Sequence, residues 1–534
     1  MERNSPSHSS KNGMVASASA CASEIGAQIL DAGGNAFDAA VAVSYALGVS
    51  EPQASGIGGQ TMALIYLAEE KRYFVLDGSS FAPYHYQPSK VPKTPMMVGL
   101  SATTLPSSVA FYGYLRDTYG SLPLEVLLKP AIQLAEEGVK ITPLIHSAIE
   151  KNQKELKMDE QIRSNFFSND IPLQPGDTLV QKELAHCMRL LAQNGWKDFY
   201  IGEIAETIVN DMVERNGWLR SEDFSQIPIP IERSPLEGSY RKYDVITFPP
   251  PGAGRVLVQL LNILEQFPPE TIDPNKALGN LIMALAFQLT LRDRKRMPQN
   301  PDLYFQQVDK KMTDKAHSQN IKETIERIVG FHTVSQAPPK IKATGETTHF
   351  SISDRFGNIV AITQSIERVF GAKRTAKNLG FFYNNYMSAY EYKDKTHPYY
   401  LLPRNRPWSS VAPTIITYRK RPILVLGSPG SERISTTLTQ VLIRYLDMGE
   451  PLDQAIAAPR FHTTEKKQLQ LEWPRYDTRI SGVFSETGFS LKKRGAYSFY
   501  LGCVQAIELP RSVNRKTHTG VADPRRDGSA AGPR

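Results

Sequence analysis

Gly345-Glu346-Thr347-Thr348-His349-Phe350-Ser351 stands about two thirds of the way along a chain of 534 residues. From Thr347 to Ser353 the residues alternate as in a strand. Asp354-Arg355-Phe356-Gly357-Asn358 has the composition of a turn, and Ile359-Val360-Ala361-Ile362-Thr363 is a second, β-branched run. Two such runs joined by a Gly/Asn turn predict a hairpin. A threonine opening a hairpin is ordinary as structure, because β-branched residues favour strands. Its chemistry is more specific. A threonine hydroxyl is a poor nucleophile until a base takes its proton. Cutting the peptide bond before Thr347 would supply that base, since a free α-amine titrates at roughly 7.7–8.0 and is partly neutral near pH 7. The β-branch stiffens χ1 and helps hold the hydroxyl in place. One residue would then act as both nucleophile and base.

Outward from this stretch, further motifs follow in order: Thr363-Gln364-Ser365, then Phe381-Phe382-Tyr383-Asn384-Asn385-Tyr386-Met387, then Arg406-Pro407-Trp408-Ser409-Ser410-Val411-Ala412-Pro413-Thr414. Gly427-Ser428-Pro429-Gly430-Ser431-Glu432-Arg433-Ile434 and the tail Ala522-Asp523-Pro524-Arg525-Arg526-Asp527-Gly528 complete the series. From about Ala16 to the C-terminus the chain resembles the γ-glutamyltransferases (glutathione hydrolases), which are N-terminal-nucleophile hydrolases. The resemblance implies an α+β fold, a four-layer αββα sandwich built from two chains of one cleaved precursor. The cut would fall between Glu346 and Thr347. Residues 1–346 and 347–534 would remain together as a heterodimer in one compact unit. The implied activity is cleavage of γ-glutamyl amides of the glutathione type, by acyl transfer to water or an amine, with no cofactor and no metal.

The same resemblance assigns roles residue by residue. Thr347 is the nucleophile, and Ser365 keeps a hydroxyl that orients it. Backbone N–H groups of Gly430 and Ser431 form the oxyanion hole, where a donor is typically worth roughly 2.7–4 kcal/mol. Ser409 and Ser410 contact the glutamyl carboxylate. Glu367 and Tyr386 occupy positions where relatives carry asparagine and another polar residue. Two anchors depart from the pattern. Ser79 replaces an arginine that would clamp the α-carboxylate through two hydrogen bonds, and Ala389 replaces an aspartate that would bind the α-amine. Glu367, Arg368, Lys373 or Arg374 could substitute for them. Alternatively, the substrate is a small carboxylate amide such as oxamate. A third alternative, a relative that binds without cleaving, is opposed by Thr347 and the Gly430 loop.

Composition is that of a soluble globular protein, 41% hydrophobic and 22% charged. The net charge of +8 is scattered, which favours a solvated surface over nucleic-acid binding. The basic residues Arg511, Arg515, Lys516, Arg525 and Arg526 fall in and just before the terminal motif. Cys21, Cys187 and Cys503 lack metal-type spacing and are expected to be buried thiols. No secretory signal and no run of roughly 18 apolar residues is visible, so the expectation is a cytoplasmic protein with no membrane contact.

Along the chain, residues 1–12 read as a loose tail. Val15 to Leu30 reads as a helix ended by Gly33-Gly34, and a second helix, capped near Asp38, runs through Leu47. Strands are expected at Thr61–Leu67, Tyr73–Leu76 and Val245–Phe248. Helices are expected at 125–137, 181–194, 255–265 and Asn280–Met297, the last carrying a solvent-facing Arg292-Asp293-Arg294 cluster. Residues 309–345 read as a mobile linker.

Overall fold

The computed structural model describes residues 5–86, 96–303, 311–331, 345–510 and 517–534. The hairpin is present. Strand Thr348–Asp354 pairs antiparallel with strand Ile359–Ser365, Thr348 opposite Gln364 and Ser353 opposite Ile359. Asp354 closes the turn by accepting from the N–H groups of Phe356 and Asn358, each at 2.9 Å. Its other oxygen accepts from the Ala36 N–H at 2.9 Å, which fastens the turn to the N-terminus of helix Ala36–Ser50, where an anion is favoured.

Both edges of the hairpin are extended into a seven-stranded sheet. Its order is Ser529–Ala531, Gly13–Ser17, Thr348–Asp354, Ile359–Ser365, Gln60–Leu67, Arg72–Gly78, Ile231–Arg233. A second sheet, also of seven strands, runs Ser7–Ser10, His518–Ala522, Gln505–Glu508, Arg421–Gly427, Thr414–Tyr418, Tyr243–Thr247, Leu236–Tyr240. Each sheet therefore mixes strands from before and after residue 346.

Alternation of side chains across a strand sorts the core into layers. Phe350, Ile352, Val360 and Ile362 face helices Ala20–Asp31, Ala36–Ser50 and Ser108–Tyr119. Ile359 and Ala361 point the other way, and meet Ile415, Val425 and Ile507 between the two sheets. On the far side of the second sheet, Ile416, Leu424 and Leu426 pack against helices Gly254–Leu264 and Arg433–Leu442. The result is the expected αββα stack.

Several expectations change. Val15 lies in strand Gly13–Ser17, and the helix begins only at Ala20. The backbone of 13–17 is taken up by pairing with strand Thr348–Asp354. Residues Ser7–Ser10, expected to be loose, form an edge strand on His518–Ala522. Within the expected linker, Lys315–Phe331 is a helix that buries Ile321 and Ile325; 309–310 and 332–344 lie outside the described residues, as do Arg511, Arg515 and Lys516. Asp293 and Arg294 are buried, not solvent-facing. Asp293 accepts from Gln259 Nε2 and meets His317 Nε2, both at 2.8 Å. Cys187 and Cys503 are buried, whereas Cys21 is half-buried. Asp38 completes a capping box with Asn35, and Gly33 ends the preceding helix at φ +96°. Among the described residues, no helix is long and apolar enough to cross a membrane.

The tail turn at 523–526 is held by buried charges. Asp523 pairs with Arg460 at 2.7 Å and with Arg525 at 3.1 Å, and Arg525 also reaches Glu472 at 2.8 Å. Removing one member of such a set strands a charge away from water, typically at about 3–5 kcal/mol. Asp523→Ala, which leaves Arg460 and Arg525 short of an anion, is expected to lower unfolding stability by about that amount in urea titrations of a single uncut chain, Thr347 replaced by Ala in both samples.

Candidate functional site

Thr347 sits one residue before its strand begins, 7% exposed, on the wall of a cavity of about 510 Å³. Ser365, at the end of the partner strand, is brought beside it by the hairpin register. Thr347 Oγ1 donates to Ser365 Oγ at 3.4 Å. Ser365 Oγ in turn donates to the carbonyl of Glu346 at 2.7 Å and accepts the Glu367 N–H at 2.8 Å. The serine is thus hydrogen-bonded to the carbonyl on the N-terminal side of Thr347. Next to it, Gln364 takes Ser44 Oγ at 2.7 Å and Tyr112 Oη at 2.6 Å, which pins the strand end to the helical layer.

The 430–431 loop approaches from the second sheet. It follows strand Arg421–Gly427 and leads into helix Arg433–Leu442. Gly430 and Ser431 both hold left-handed backbone, φ +125° and +53°, a region that glycine tolerates and serine occupies at a cost. Ser431 lines the cavity. It comes so close that a Cβ on Gly345 would lie 2.8 Å from the Ser431 Cβ; the glycine two residues before Thr347 is what permits the approach. Arg433, buried, donates to the Gly345 carbonyl at 3.2 Å and to the Tyr500 carbonyl at 2.9 Å.

The serine pair stands on the same cavity wall. Its loop is anchored by Arg406, which reaches Asp77 at 2.9 Å, and by the Ser409 N–H, which donates to Pro251 O at 3.2 Å. Beneath it lies Arg294, which the sequence reading placed in solvent. It is 4% exposed, lines the cavity, and donates to Ser409 O at 3.0 Å and Ser410 Oγ at 2.9 Å. Its guanidinium lies 4.6 Å from the centre of the Trp408 ring. Burial pulls its pKa down to about 10, so it is still charged at neutral pH. The helix that carries it, Ala277–Arg296, is buried along most of its length; that continuous apolar character was the available signal that its last charges could face inward.

Glu367 and Tyr386 also line the cavity. Burial raises the Glu367 carboxyl above its usual range, and Arg368 opposes that shift. Tyr386 is positioned by Asn384, whose Oδ1 accepts the Tyr386 N–H at 3.2 Å and whose Nδ2 donates to Gly58 O at 2.8 Å. Burial raises the pKa of its phenol. Ala389 faces the cavity and offers no charge. Ser79 is not on the wall; it donates to Asp77 at 2.5 Å. Lys373 and Arg374 are also elsewhere, against Glu155. Of the substitute contacts considered, only Glu367 and Arg368 reach the cavity. Among the described residues, no group of three or more His, Cys, Asp or Glu is arranged to hold a metal ion.

His349, two residues from Thr347, is not a base for it. The ring lies in the buried layer, bonded to Thr363 Oγ1 at 2.9 Å and Ser351 Oγ at 3.2 Å. Gly427 makes room for it, since a Cβ there would fall 2.2 Å from the ring. Burial lowers its pKa to about 3.

A sequence model of the γ-glutamyltranspeptidases matches residues 22–533. The chain belongs to the γ-glutamyltranspeptidase family. It is 35% identical over 544 residues to the glutathione hydrolase proenzyme of Escherichia coli (strain K12), covering 95% of this chain and 92% of that one. It is 32% identical over 486 residues to the acylase ACY 1 proenzyme of Pseudomonas sp. (strain SE83), covering 87% and 84%. The crystal structure of cephalosporin acylase from Bacillus halodurans superposes with a TM-score of 0.88 at 26% identity, over 100% of this chain and 98% of that one. The αββα stack is therefore that of an N-terminal-nucleophile hydrolase, and the chain is an enzyme of the γ-glutamyltranspeptidase type, made as a self-processing precursor. The oxamate alternative finds no support among these relatives.

Because His349 stays neutral when folded and takes a proton when unfolded, the unfolded chain binds more protons below pH 6.5, and stability falls as pH drops through that window. His462, also about 3, and His518, about 4, act in the same direction. In His349→Gln, compared in the uncut Thr347→Ala chain, the change of unfolding free energy between about pH 6.5 and 5 is expected to be shallower by about one proton per molecule in urea titrations.

Proposed function

We propose that the chain cuts itself between Glu346 and Thr347, into fragments 1–346 and 347–534, and that the paired fragments transfer γ-glutamyl groups from small glutathione-type amides to water or an amine. The observation that carries this reading is the hydroxyl relay from Thr347 Oγ1 through Ser365 Oγ to the Glu346 carbonyl, at 3.4 and 2.7 Å. As Thr347 Oγ1 adds to the Glu346 carbonyl carbon, its proton moves to Ser365, and the Ser365 proton moves to the carbonyl oxygen. Collapse breaks the C–N bond, the nitrogen takes the proton, and an ester remains. Water hydrolyses that ester, leaving a carboxylate on Glu346 and a free α-amine on Thr347.

In the mature enzyme the α-amine becomes the base and Thr347 Oγ1 attacks the substrate amide. Gly430 and Ser431 N–H groups hold the oxyanion. Ser409, Ser410 and Arg294 form the carboxylate end of the cavity, the arginine supplying the charge that Ser79 lacks. Glu367 receives the α-amine in place of Ala389, and Tyr386 lines the same cavity. A second reading is favoured by the uncharged Ala389 wall: the acyl group carries a distal carboxylate but no α-amine, as in a glutaryl amide.

Purified wild type is expected to give two fragments meeting at Glu346/Thr347 by denaturing gel and intact mass, and Thr347→Ala a single chain. An intact wild-type chain after long incubation would refute the proposal. Substrate choice is read by comparing γ-glutamyl- and glutaryl-p-nitroanilide. Glu367→Gln is expected to lower kcat/KM for the first by about 10–100-fold and to spare the second. Arg294→Gln should weaken both by a similar factor, mainly through KM. A wild-type preference for the glutaryl compound would select the second reading.

A further inference from the structure

The two residues that flank Thr347 are tied to one buried ion pair. Arg526 Nη2 meets Glu346 Oε2 at 2.7 Å, and Arg526 Nη1 meets Glu51 Oε1 at 3.1 Å. The other Glu51 oxygen accepts from Thr348 Oγ1 at 2.6 Å. Contacts thus run from Glu346 through Arg526 and Glu51 to Thr348, closing a ring that spans the Glu346–Thr347 bond. The side chains of Arg526, Glu51 and Glu346 are 2%, 5% and 9% exposed. Glu51 ends helix Ala36–Ser50, and Arg526 stands on the tail turn held by Asp523. Neither is part of the cavity wall, and the hydroxyl relay does not use them.

We infer that the Glu51–Arg526 pair is a positioning clamp for self-processing, holding the Glu346 side chain and Thr348 so that the intervening peptide bond stays in register with Thr347 Oγ1 and Ser365 Oγ. The inference rests on the proposed cut before Thr347. A peptide bond attacked by its own neighbour depends on geometry more than on reagent strength, and fixing both flanks supplies that geometry. The backbone gives further hold, through the Glu346 N–H to Glu367 O at 2.8 Å. The clamp also favours departure afterwards. Once the bond is cut, Glu346 carries two carboxylates in a buried place where Arg526 is already shared with Glu51. Like charges and the loss of hydration drive that end out, while Arg526 keeps Glu51.

Full-length precursor made by cell-free translation, with synthesis then stopped, allows conversion to fragments to be timed on a gel. Glu346→Ala, which leaves the Glu51–Arg526 pair whole, is expected to lengthen the half-time by about tenfold or more. Glu346→Gln, which keeps an acceptor for Arg526, and Arg526→Lys, which keeps a charge, should fall between. Once fully processed, Glu346→Ala has an unaltered 347–534 fragment and should keep wild-type kcat and KM. In the Thr347→Ala background its thermal midpoint should stay within a few degrees. Conversion of Glu346→Ala at the wild-type rate would overturn the clamp, as would slow conversion explained by a collapsed thermal midpoint. A wild-type chain that never converts would instead sink the proposed cut itself.

Discussion

Everything at the site depends on the antiparallel register of the hairpin. Thr348 lies opposite Gln364, so Thr347 and Ser365 are brought together as the two strands reach the same end of the sheet. A slip of one residue would turn every side chain of a strand to the opposite face. It would also bury Gln364 without Ser44 and Tyr112 as partners. The register is held from outside as well, by Gly13–Ser17 on one edge, Gln60–Leu67 on the other and the Asp354 turn at the far end. The precision needed for chemistry comes from a central sheet position, where backbone groups are paired on both sides.

Around that fixed point, loops joined to the second sheet bring in the other residues of the cavity. The 430–431 loop leaves strand Arg421–Gly427 and the serine-pair loop leads into strand Thr414–Tyr418, and each is backed by a buried arginine: Arg433 behind the first, Arg294 behind the second. Both arginines bond to backbone carbonyls on segments that line or adjoin the cavity. Their role in the architecture is to hold loops at a chosen distance while keeping positive charge near the place where negative charge collects.

The hairpin was legible because its residue types, its turn and its chemistry agree on one answer. The four layers became legible only through resemblance to a family, since alternation in one hairpin does not specify what packs on its faces. Val15 was misread because Val-Ala-Ser-Ala suits a helix as well as a strand, and only its pairing with 348–354 decides. The helix Lys315–Phe331 was missed because a sparse row, Ile321, Ile325 and Ile328, is diluted by polar residues, although its spacing is that of a helix face. Arg294 was misjudged for the opposite reason: a charged triplet suggests water, but the apolar run before it buries the end of the helix too. Ser79 could be located along the chain by resemblance, yet its side chain turns to Asp77, which no linear motif reports. The Glu51–Arg526 contact joins residues from opposite ends of the sequence, and neither has a local pattern that points to the other.

The strand order has a consequence for the life of the molecule. In the first sheet, segments from either side of residue 346 are shuffled together: 529–531, then 13–17, then 348–354 and 359–365, then 60–67. Neither portion alone could satisfy the edges of its strands, and open edges invite pairing with the wrong chain. A continuous polypeptide keeps all of these strands on one tether while the sheet assembles. Once severed at the proposed cut, the folded object would be a record of a connection that no longer exists. Chains unfolded after that point would have lost the tether that brought their strands together, so the enzyme's shape would be inherited from its precursor rather than recoverable from its parts.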